Sequence, residues 1–235
     1  MKKILVINPG STSTKIAFYH DGEQVWKESI EHDAAEIKKY TVIYDQKEMR
    51  TALVLQALAD HGEKISELSG VVARGGLLPS YTDPETGAVT TVASGAYEVT
   101  PALIEALRDR PVNHHASNLG CAIAYEIAQK AGVKAYIYDP VTVDELIDLV
   151  RITGLKDVRR VGQAHNLNMR AAAMKVCREK GIDYYGSNIV VAHLGGGITM
   201  SLHSNGCIVD IVSDDEGPFS PERAGLIPDY LMVRK

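Results

Sequence analysis

The chain has 235 residues, of which 45% are hydrophobic and 23% charged, and its formal net charge at pH 7 is −5. These proportions are those of an ordinary globular protein, and they exclude an intrinsically disordered chain, a collagen and a coiled coil. A mildly acidic chain without a run of lysine and arginine is a poor candidate for binding nucleic acid or an anionic membrane.

The sequence also favours a cytoplasmic protein. No stretch approaches the roughly 18 apolar residues that a membrane span needs. The apolar run Ile4–Ile7 is too short for the core of a signal peptide. The three cysteines are widely spaced and form no CxxC pair, which suits a reducing compartment.

The order of hydrophobic patterns predicts an α/β fold, because strand and helix patterns alternate along the chain. Three short strands are predicted first, at Lys3–Ile7, Lys15–Tyr19 and Gln24–Ser29. The elements predicted after them are a helix from about Ala34 to His61, a strand at Ser69–Ala73, helices at Pro101–Arg110 (capped by Thr100) and Ser117–Ala131, a strand at Val133–Tyr138 and a helix at Ala164–Lys180.

A second copy of the first hairpin begins at Ile189. Ile189–Leu202 repeats the plan of Ile4–Ala17, since each is an apolar strand, a glycine-containing turn and another strand. A further turn and a third strand, here Cys207–Val212, follow in both cases, which suggests a duplicated domain core. The alternative is a pair of unrelated hairpins. If the duplication is real, the first domain spans residues 1–186 and the second, which looks unfinished, spans 187–235.

Both hairpin turns have residues that could bind phosphate. The turn Gly10–Lys15 is not a Walker A loop, because a strand pattern follows it and the lysine is out of place. Small residues still let backbone N–H groups approach an anion, and Gly195–Gly197 offers the same capability. Either loop alone is more often only a turn, but together they suggest a nucleotide bound between two domain halves.

Two charged residues follow predicted buried strands, where ligands bind in open α/β sheets. Arg74 could bind an anion or form a surface salt bridge, and its position makes these alternatives about equal. Asp139 could hold Mg²⁺ or orient a reacting group, but aspartate is also a common cap and turn residue.

The remaining polar residues are ambiguous when taken one at a time. Ser117, after His115, is either a site residue or only a helix cap, and His165 is either a site residue or a satisfied polar residue. The charged stretch Asp214–Arg223 is a solvated loop or an active-site loop. No catalytic Ser/His/Asp spacing, zinc-ligand cluster or paired-acid motif is persuasive.

Taken together, these segments resemble the acetate and butyrate kinases, and within that family most closely the butyrate kinases. Their combination is specific, and they occur in family order across nearly the whole chain. The segments are Ile7–Lys15, Ala73–Leu78, His115–Gly120, Asp139–Val141 with Val143–Leu146, His193–Gly197 and Glu216–Arg223.

The resemblance implies a duplicated ribonuclease-H-like fold of the actin, hexokinase and acetokinase type, with the second domain incomplete. It implies reversible phosphoryl transfer between butyrate and ATP, giving butyryl phosphate and ADP, with Mg²⁺ and ATP/ADP in the cleft. The cofactor would then be Mg²⁺, and the partners would be ATP and a short-chain carboxylate, with no nucleic acid and no membrane. The resemblance to the full-length family also implies a homodimer.

The resemblance also implies roles for matched positions. Asn8 and Asp139 would hold Mg²⁺, and Asp139 would be the active-site acid. Arg74 would bind the carboxylate or acyl phosphate, beside Gly76 and His115, and His165 and Arg223 would stabilise the transferring group. The phosphates would be lined by Ser11, Ser13 and Lys15 from the first loop and by His193, Leu194, Gly195, Gly196 and Gly197 from the second.

Several expectations follow from where the sequence departs from its relatives. Alanine precedes His165, Asp214-Asp215-Glu216-Gly217 replaces a shorter acidic motif, and the adenosine-binding segment of the family has no counterpart. The strands after residue 186 are therefore expected to lack covering helices and to self-associate. Gly76, in place of a branched residue, is expected to leave room for a longer acyl chain. The alternatives are a branched-chain fatty acid or acetate kinase, or an inactive truncated remnant that binds only phosphate or a partner.

Overall fold

A computed structural model describes residues 1–86, 88–228, 230 and 232. The chain forms two compact units: the first comprises Met1–Ser80 and Gly95–Pro140, the second Tyr81–Ser94 and Val141–Lys235. In chain order the strands are β1 (Lys3–Pro9), β2 (Ser13–His20), β3 (Glu23–Glu31), β4 (Gly70–Arg74), β5 (Tyr81–Thr82), β6 (Val89–Thr90), β7 (Ala96–Glu98), β8 (Ala135–Tyr138), β9 (Asn188–Leu194), β10 (Ile198–Ser204) and β11 (Cys207–Val212). The helices are α1 (Ala34–Ile37), α2 (Lys47–Asp60), α3 (Pro101–Asp109), α4 (Leu119–Ala131) and α5 (Asn166–Lys180).

The first unit is built on a six-stranded mixed sheet in the order β3-β2-β1-β4-β8-β7. Strands β1, β4 and β8 are parallel neighbours, and β2 pairs antiparallel with β1. Alternate residues of β1, Leu5 and Ile7, are fully buried, as the period of two in a strand requires. Helix α4 packs against β4 and β8, and its residues Leu119, Ile123 and Ile127 are buried. This arrangement brings the carboxyl ends of three strands to one edge.

The helical region before β4 is divided, so the single helix predicted from Ala34 to His61 is wrong. Asp33 caps the short α1 by accepting a hydrogen bond from the Ala35 N–H, a 3₁₀ turn covers Ile43–Gln46, and α2 then begins at Lys47. The β-branched run Thr41–Ile43 explains the break, because such side chains are restricted in a helix.

The predicted helix cap at Thr100 and the predicted helix end at Gly132 are confirmed, whereas Ser117 is not a helix cap. Thr100 accepts a hydrogen bond from the Leu103 N–H, and Gly132 ends α4 in the left-handed conformation. Ser117 caps nothing: its N–H donates to the ring of His115, which itself caps a 3₁₀ turn before α4.

The second unit contains the repeated hairpin as a three-stranded sheet in the order β11-β10-β9. Helix α5 covers one face of this sheet, where Ala173 and Cys177 pack with Tyr184, Ile189 and Val191. The expectation that these strands lack a covering helix is therefore wrong for that face. The sequence assigns α5 to the preceding domain, whereas the helix buries its apolar side against the strands that follow it.

The division of the chain also differs from the boundary expected at residue 186. Residues 141–186 belong to the same compact unit as β9–β11, and the small hairpin of β5 and β6 joins that unit. The last residues of the expected second domain, 229, 231 and 233–235, lie outside the described residues. No helix in the described part of the chain is both long and apolar enough to span a membrane.

Candidate functional site

Three predicted site residues lie at one edge of the first unit's sheet. Asn8 is near the carboxyl end of β1, Arg74 is the last residue of β4, and Asp139 directly follows β8. Because β1, β4 and β8 are parallel neighbours, these ends meet at the edge where ligands bind in α/β sheets. The sequence pattern predicts this placement for Arg74 and Asp139, and the site role of all three residues stays a prediction.

Arg74 is a half-buried cation available to an anion. Burial lowers the pKa of its guanidinium, and no carboxylate contributes in the opposite direction. Within the described residues the guanidinium makes no hydrogen bond and no ion pair, although structural arginines of this burial are usually paired. An oxyanion ligand would supply the missing partner.

His115 lies near enough to Arg74 to feel its charge. Its Nδ1 accepts a hydrogen bond from the Ser117 N–H at 3.1 Å. Burial and then the Arg74 charge lower the pKa of the imidazole, so His115 is neutral at pH 7. A neutral ring beside the guanidinium adds no competing positive charge.

The space beside Gly76 is filled, so the expected room for a longer acyl chain is absent there. A Cβ at Gly76 would lie 2.5 Å from Asn118 Oδ1 and 2.9 Å from Leu107 Cδ2. Asn118 is held in place because its Oδ1 accepts from the Leu77 N–H and its Nδ2 donates to the Asn113 carbonyl, both at 2.9 Å. Glycine at this position serves close packing.

Asp139 has an unusual backbone conformation and a buried carboxylate. Its φ is 40° and its exposed fraction is 1%. The carboxylate accepts a hydrogen bond from the Gly95 N–H at 2.9 Å, and the Asp139 N–H donates to the Gly95 carbonyl at 3.1 Å. A non-glycine residue held at positive φ stores strain, which is found preferentially at functional sites.

The donor set at this edge fits Mg²⁺. Asn8 Oδ1 is buried and has no hydrogen-bond partner among the described residues, so it is an oxygen acceptor awaiting a donor or a cation. Asp139 supplies the carboxylate, and Mg²⁺ is usually bound through one or two carboxylates with several waters. Among the described residues, no group of three or more His, Cys, Asp or Glu side chains is placed to hold a metal ion.

The first predicted phosphate loop connects β1 and β2. The Gly10 N–H donates to the Ser13 carbonyl at 2.7 Å, which closes the turn; Ser11 is exposed and Ser13 is buried. Lys15 lies on β2 opposite Asn8, and both line a surface cavity of about 420 Å³. Thr14, the neighbour of Lys15 along the strand, points to the opposite face, as the pleat requires.

The sequence alone did not single out an arginine that lies behind this loop. Arg50 of α2 is fully buried and contacts the turn from the helix side. The available signal was its spacing: Arg50 occupies the same helix stripe as the buried residues Val54, Ala57 and Leu58.

In the second unit, two predicted site histidines are stacked. The rings of His165 and His193 lie 4.0 Å apart between centroids and 11° from parallel. His165 precedes α5, and its Nδ1 is hydrogen bonded to Thr199 Oγ1 at 3.2 Å. Asn168 Nδ2 donates to His193 Nδ1 at 2.8 Å, so α5 and the hairpin orient both rings.

The glycine turn between β9 and β10 packs against the loop that carries Arg223. The Glu222 N–H and the Ser220 hydroxyl both donate to the Gly196 carbonyl at 2.8 Å. A Cβ at Gly196 would lie 2.6 Å from the Glu222 carboxyl carbon. Glycine is therefore required here by the close approach of the second loop, and an acidic side chain occupies the space.

Arg223 is half-exposed and is oriented by an acid. Its Nε lies 3.0 Å from Asp214 Oδ2, and a Cβ at Gly197 would lie 2.8 Å from the same oxygen. The structure thus brings Arg223 and the Gly195–Gly197 turn together. Leu194, which precedes the turn, is 78% exposed.

Arg160, which the sequence did not single out, anchors this loop. Its guanidinium forms a two-point ion pair with Glu216, with contacts of 3.0 and 3.1 Å, and it also contacts Asp210 at 3.2 Å. The pair holds the pKa of the Glu216 carboxyl below its usual value. The bond joins residues 56 positions apart, which no local pattern reveals.

Comparison with known proteins relates the chain to butyrate kinases. The chain is 42% identical over 241 residues to a probable butyrate kinase of Coprothermobacter proteolyticus, covering 99% of this chain and 65% of that protein. It is 42% identical over 236 residues to butyrate kinase 1 of Clostridium acetobutylicum, covering 100% and 63% respectively. The chain is therefore similar to butyrate kinases over nearly its whole length.

Solved structures of acetate and propionate kinases agree with this similarity at the level of fold. An acetate kinase of Porphyromonas gingivalis superposes with a TM-score of 0.72 at 20% identity, over 100% of this chain and 63% of that one. A propionate kinase of Francisella tularensis superposes with a TM-score of 0.69 at 13% identity, over 100% of this chain and 64% of that one. No protein-family model matches the chain. The expected acetokinase-type α/β fold is confirmed, and the chain spans less than two thirds of these relatives.

Proposed function

We propose that this chain carries the catalytic residues of an ATP-dependent carboxylate kinase that acts on a short-chain carboxylate, with butyrate preferred. The observation that supports it most directly is Arg74, a half-buried guanidinium without a protein partner in the described chain, at the carboxyl edge of a parallel sheet. The 42% identity to two butyrate kinases supports butyrate over acetate.

The reaction needs alignment and positive charge more than proton transfer. A carboxylate oxygen attacks the γ-phosphorus of ATP, a new O–P bond forms, and the bond to the β-phosphate oxygen breaks to release ADP. The carboxylate is already ionised at pH 7, so no base has to remove a proton. Cationic groups around the transferring phosphoryl group and in-line positioning supply the catalysis.

The residues take roles that match their surroundings. Arg74 binds the substrate carboxylate or the acyl phosphate, and a fork-shaped guanidinium suits two carboxylate oxygens. His165 and Arg223 stabilise the transferring group, and the Gly10–Ser13 and His193–Gly197 turns bind phosphates. Asn8 and Asp139 hold Mg²⁺, which supplies charge neutralisation for the phosphates when bound.

Arg74→Ala tests this proposal. We expect the variant to lose at least about a hundredfold in kcat/KM for butyryl phosphate formation, and Arg74→Lys to recover little, because a lysine cannot make the two-point contact. Arg108→Ala is the matched control, since Arg108 is exposed and pairs only with the adjacent Asp109. Near-normal kinetics in Arg74→Ala would contradict the assignment.

Substrate preference separates the alternatives within the family. Butyrate and other four- or five-carbon acids should exceed acetate in kcat/KM. A preference for acetate would place the protein with the acetate kinases. Titration of the 235-residue chain with Mg-ATP addresses the remnant alternative, since phosphate binding without any acyl phosphate production would favour it.

A further inference from the structure

A buried arginine lies directly behind the first phosphate loop. Arg50 is 0% exposed and lies on α2 in the stripe of its buried residues. Its Nη1 donates to the Ser13 carbonyl at 3.2 Å and to Thr14 Oγ1 at 3.0 Å, and its Nη2 reaches the Ser11 carbonyl at 3.5 Å. One side chain therefore holds three groups of the turn.

The partners of Arg50 are all neutral. Its remaining hydrogen bonds go to Gln46 Oε1, at 3.1 Å from Nε and 2.8 Å from Nη2. Within the described residues, no carboxylate lies at ion-pair distance from this guanidinium. An ionised group without a counter-ion is costly to bury, so its positive charge acts outward on whatever approaches the loop.

The direction of the two carbonyls bears on the loop's N–H groups. In a trans peptide the C=O of one residue and the N–H of the next point in opposite directions. Because the Ser11 carbonyl points to Arg50, the N–H group of Thr12 points away from the guanidinium. The Thr14 N–H instead faces Ile30 of β3, its partner in the sheet. An N–H group such as that of Thr12, backed by a positive charge, favours an anion.

We propose that Arg50 is a positioning residue that fixes the Gly10–Thr14 turn for phosphate binding and that its uncompensated charge raises the affinity of this turn for polyphosphate anions. The proposal rests on the proposed function, because the same turn is assigned there to the phosphates of ATP. Gln46, one helical turn before Arg50, occupies the place where a carboxylate would neutralise it.

Gln46→Glu tests the role of the Arg50 charge, because it places a carboxylate beside the guanidinium without removing a contact. The new carboxylate can accept the same Arg50 hydrogen bonds, so the fold should be retained or stabilised. The 235-residue chain should nevertheless bind inorganic tripolyphosphate about tenfold more weakly or worse, because a buried charge pair is little screened. Gln129→Glu adds the same charge at an exposed helix position and should leave the affinity unchanged.

His32 reports whether Arg50 has been neutralised. Its Nε2 is hydrogen bonded to Thr14 Oγ1 at 2.8 Å. Burial and the Arg50 charge lower its pKa, while Glu31 acts in the opposite direction. An NMR titration of the His32 ring should therefore show a higher pKa in Gln46→Glu, whereas a purely structural role for Arg50 predicts no coupled change in affinity.

The outcomes distinguish this proposal from the function it rests on. Unchanged tripolyphosphate affinity together with a raised His32 pKa overturns the role of Arg50, as does absence of tripolyphosphate binding by the wild-type chain. If the His32 pKa stays constant, Arg50→Gln is titrated instead, and unchanged affinity in that folded variant overturns the role equally. A protein that binds tripolyphosphate in the expected order but forms no acyl phosphate contradicts the kinase assignment alone.

Discussion

The two hairpins of this chain share a backbone plan but differ in what surrounds them. Strand β1 lies between β2 and β4, and its inward residues Leu5 and Ile7 are fully buried. Strand β9 pairs only with β10 within the described chain, and its outward residues Val190 and Leu194 are 70% and 78% exposed. A strand–turn–strand unit thus folds in either setting, and the number of its neighbours decides how much apolar surface it buries.

The inward faces of the second strands differ chemically. On β2 the buried residues include Ile16 and Phe18, whereas on β10 they are Thr199, Ser201 and His203. His203 Nδ1 is hydrogen bonded to the Tyr184 hydroxyl at 2.9 Å, and its Nε2 to Ser201 Oγ at 2.8 Å.

This buried network on β10 has a charged centre. Arg170 donates to the Gly206 carbonyl and pairs with Glu145, whose carboxylate also accepts from the Ile208 N–H. The polar core therefore fixes α5, which follows His165, against the hairpin that carries His193. An apolar core would pack the same elements with less control of their register.

The largest difference between the hairpins should appear on truncating one strand residue in each. Ile7→Ala removes a fully buried side chain and should lower the free energy of unfolding by about 2–5 kcal/mol. Val190→Ala, at the exposed position of β9, should change it by less than about 0.5 kcal/mol. Urea unfolding followed by circular dichroism measures both, and equal losses would show that the β9 face is covered in solution.

The polar core of the second unit should make stability depend on pH. Burial and the charge of Arg170 lower the pKa of His203 to about 4, from an ordinary value near 6.5. Above pH 6.5 the ring is neutral in both states and contributes no pH dependence. Between pH 6.5 and pH 4 only the unfolded chain takes up the proton. The free energy of unfolding therefore decreases by on the order of 3 kcal/mol as the pH is lowered through this range.

His203→Gln separates this contribution from the other titrating groups. The variant should lose the part of the stability decrease between pH 6.5 and 4 that belongs to the imidazole, as measured by urea unfolding at several pH values. In the wild-type protein, the NMR signal of the His203 ring should stay that of the neutral form at pH 5. A ring that titrates near 6.5 would contradict the buried network.

The sequence predicted both hairpins because their signals are local. Alternating apolar residues and glycine turns define β1 and β2, and the same signals recur in β9 and β10. It also placed Arg74 and Asp139 after buried strands, where ligands bind in open α/β sheets. Helix α5 was assigned to the wrong partner, because an apolar stripe shows that a face is buried but not which sheet buries it.

The residues that the sequence missed act over long distances or against the usual pattern. Arg160 holds Glu216 across 56 positions, and such a pairing has no periodicity. Arg50 lies on the apolar stripe of α2, where a charge is ordinarily a reason to doubt the helix. The filled space at Gly76 depends on Asn118, 42 positions later in the chain, so the absence of a side chain was mistaken for a cavity.

Two glycines, one in each unit, turn this last point into a test. Gly76→Ala places a Cβ 2.5 Å from Asn118 Oδ1 and should lower the free energy of unfolding by about 1–3 kcal/mol through overpacking. A Cβ at Gly154 would meet no atom within 4 Å, so Gly154→Ala should stay within about 0.5 kcal/mol of wild type. Equal stabilities of the two variants in urea would show that the space beside Gly76 is open and not filled by Asn118.

The smallest effect on stability is expected at Arg223 in the second unit. Its ion pair with Asp214 is half-exposed, and such pairs contribute about 0–1 kcal/mol, so Arg223→Gln should unfold at nearly the same urea concentration as wild type. The glycine turn beside it is held by the Ser220 hydroxyl and the Glu222 N–H, which both donate to the Gly196 carbonyl, and this variant keeps both contacts. A large loss of acyl phosphate formation in the folded variant would therefore reflect the missing cation, whereas a large loss of stability would mean that Arg223 is a structural part of the loop and not a group held ready for phosphate.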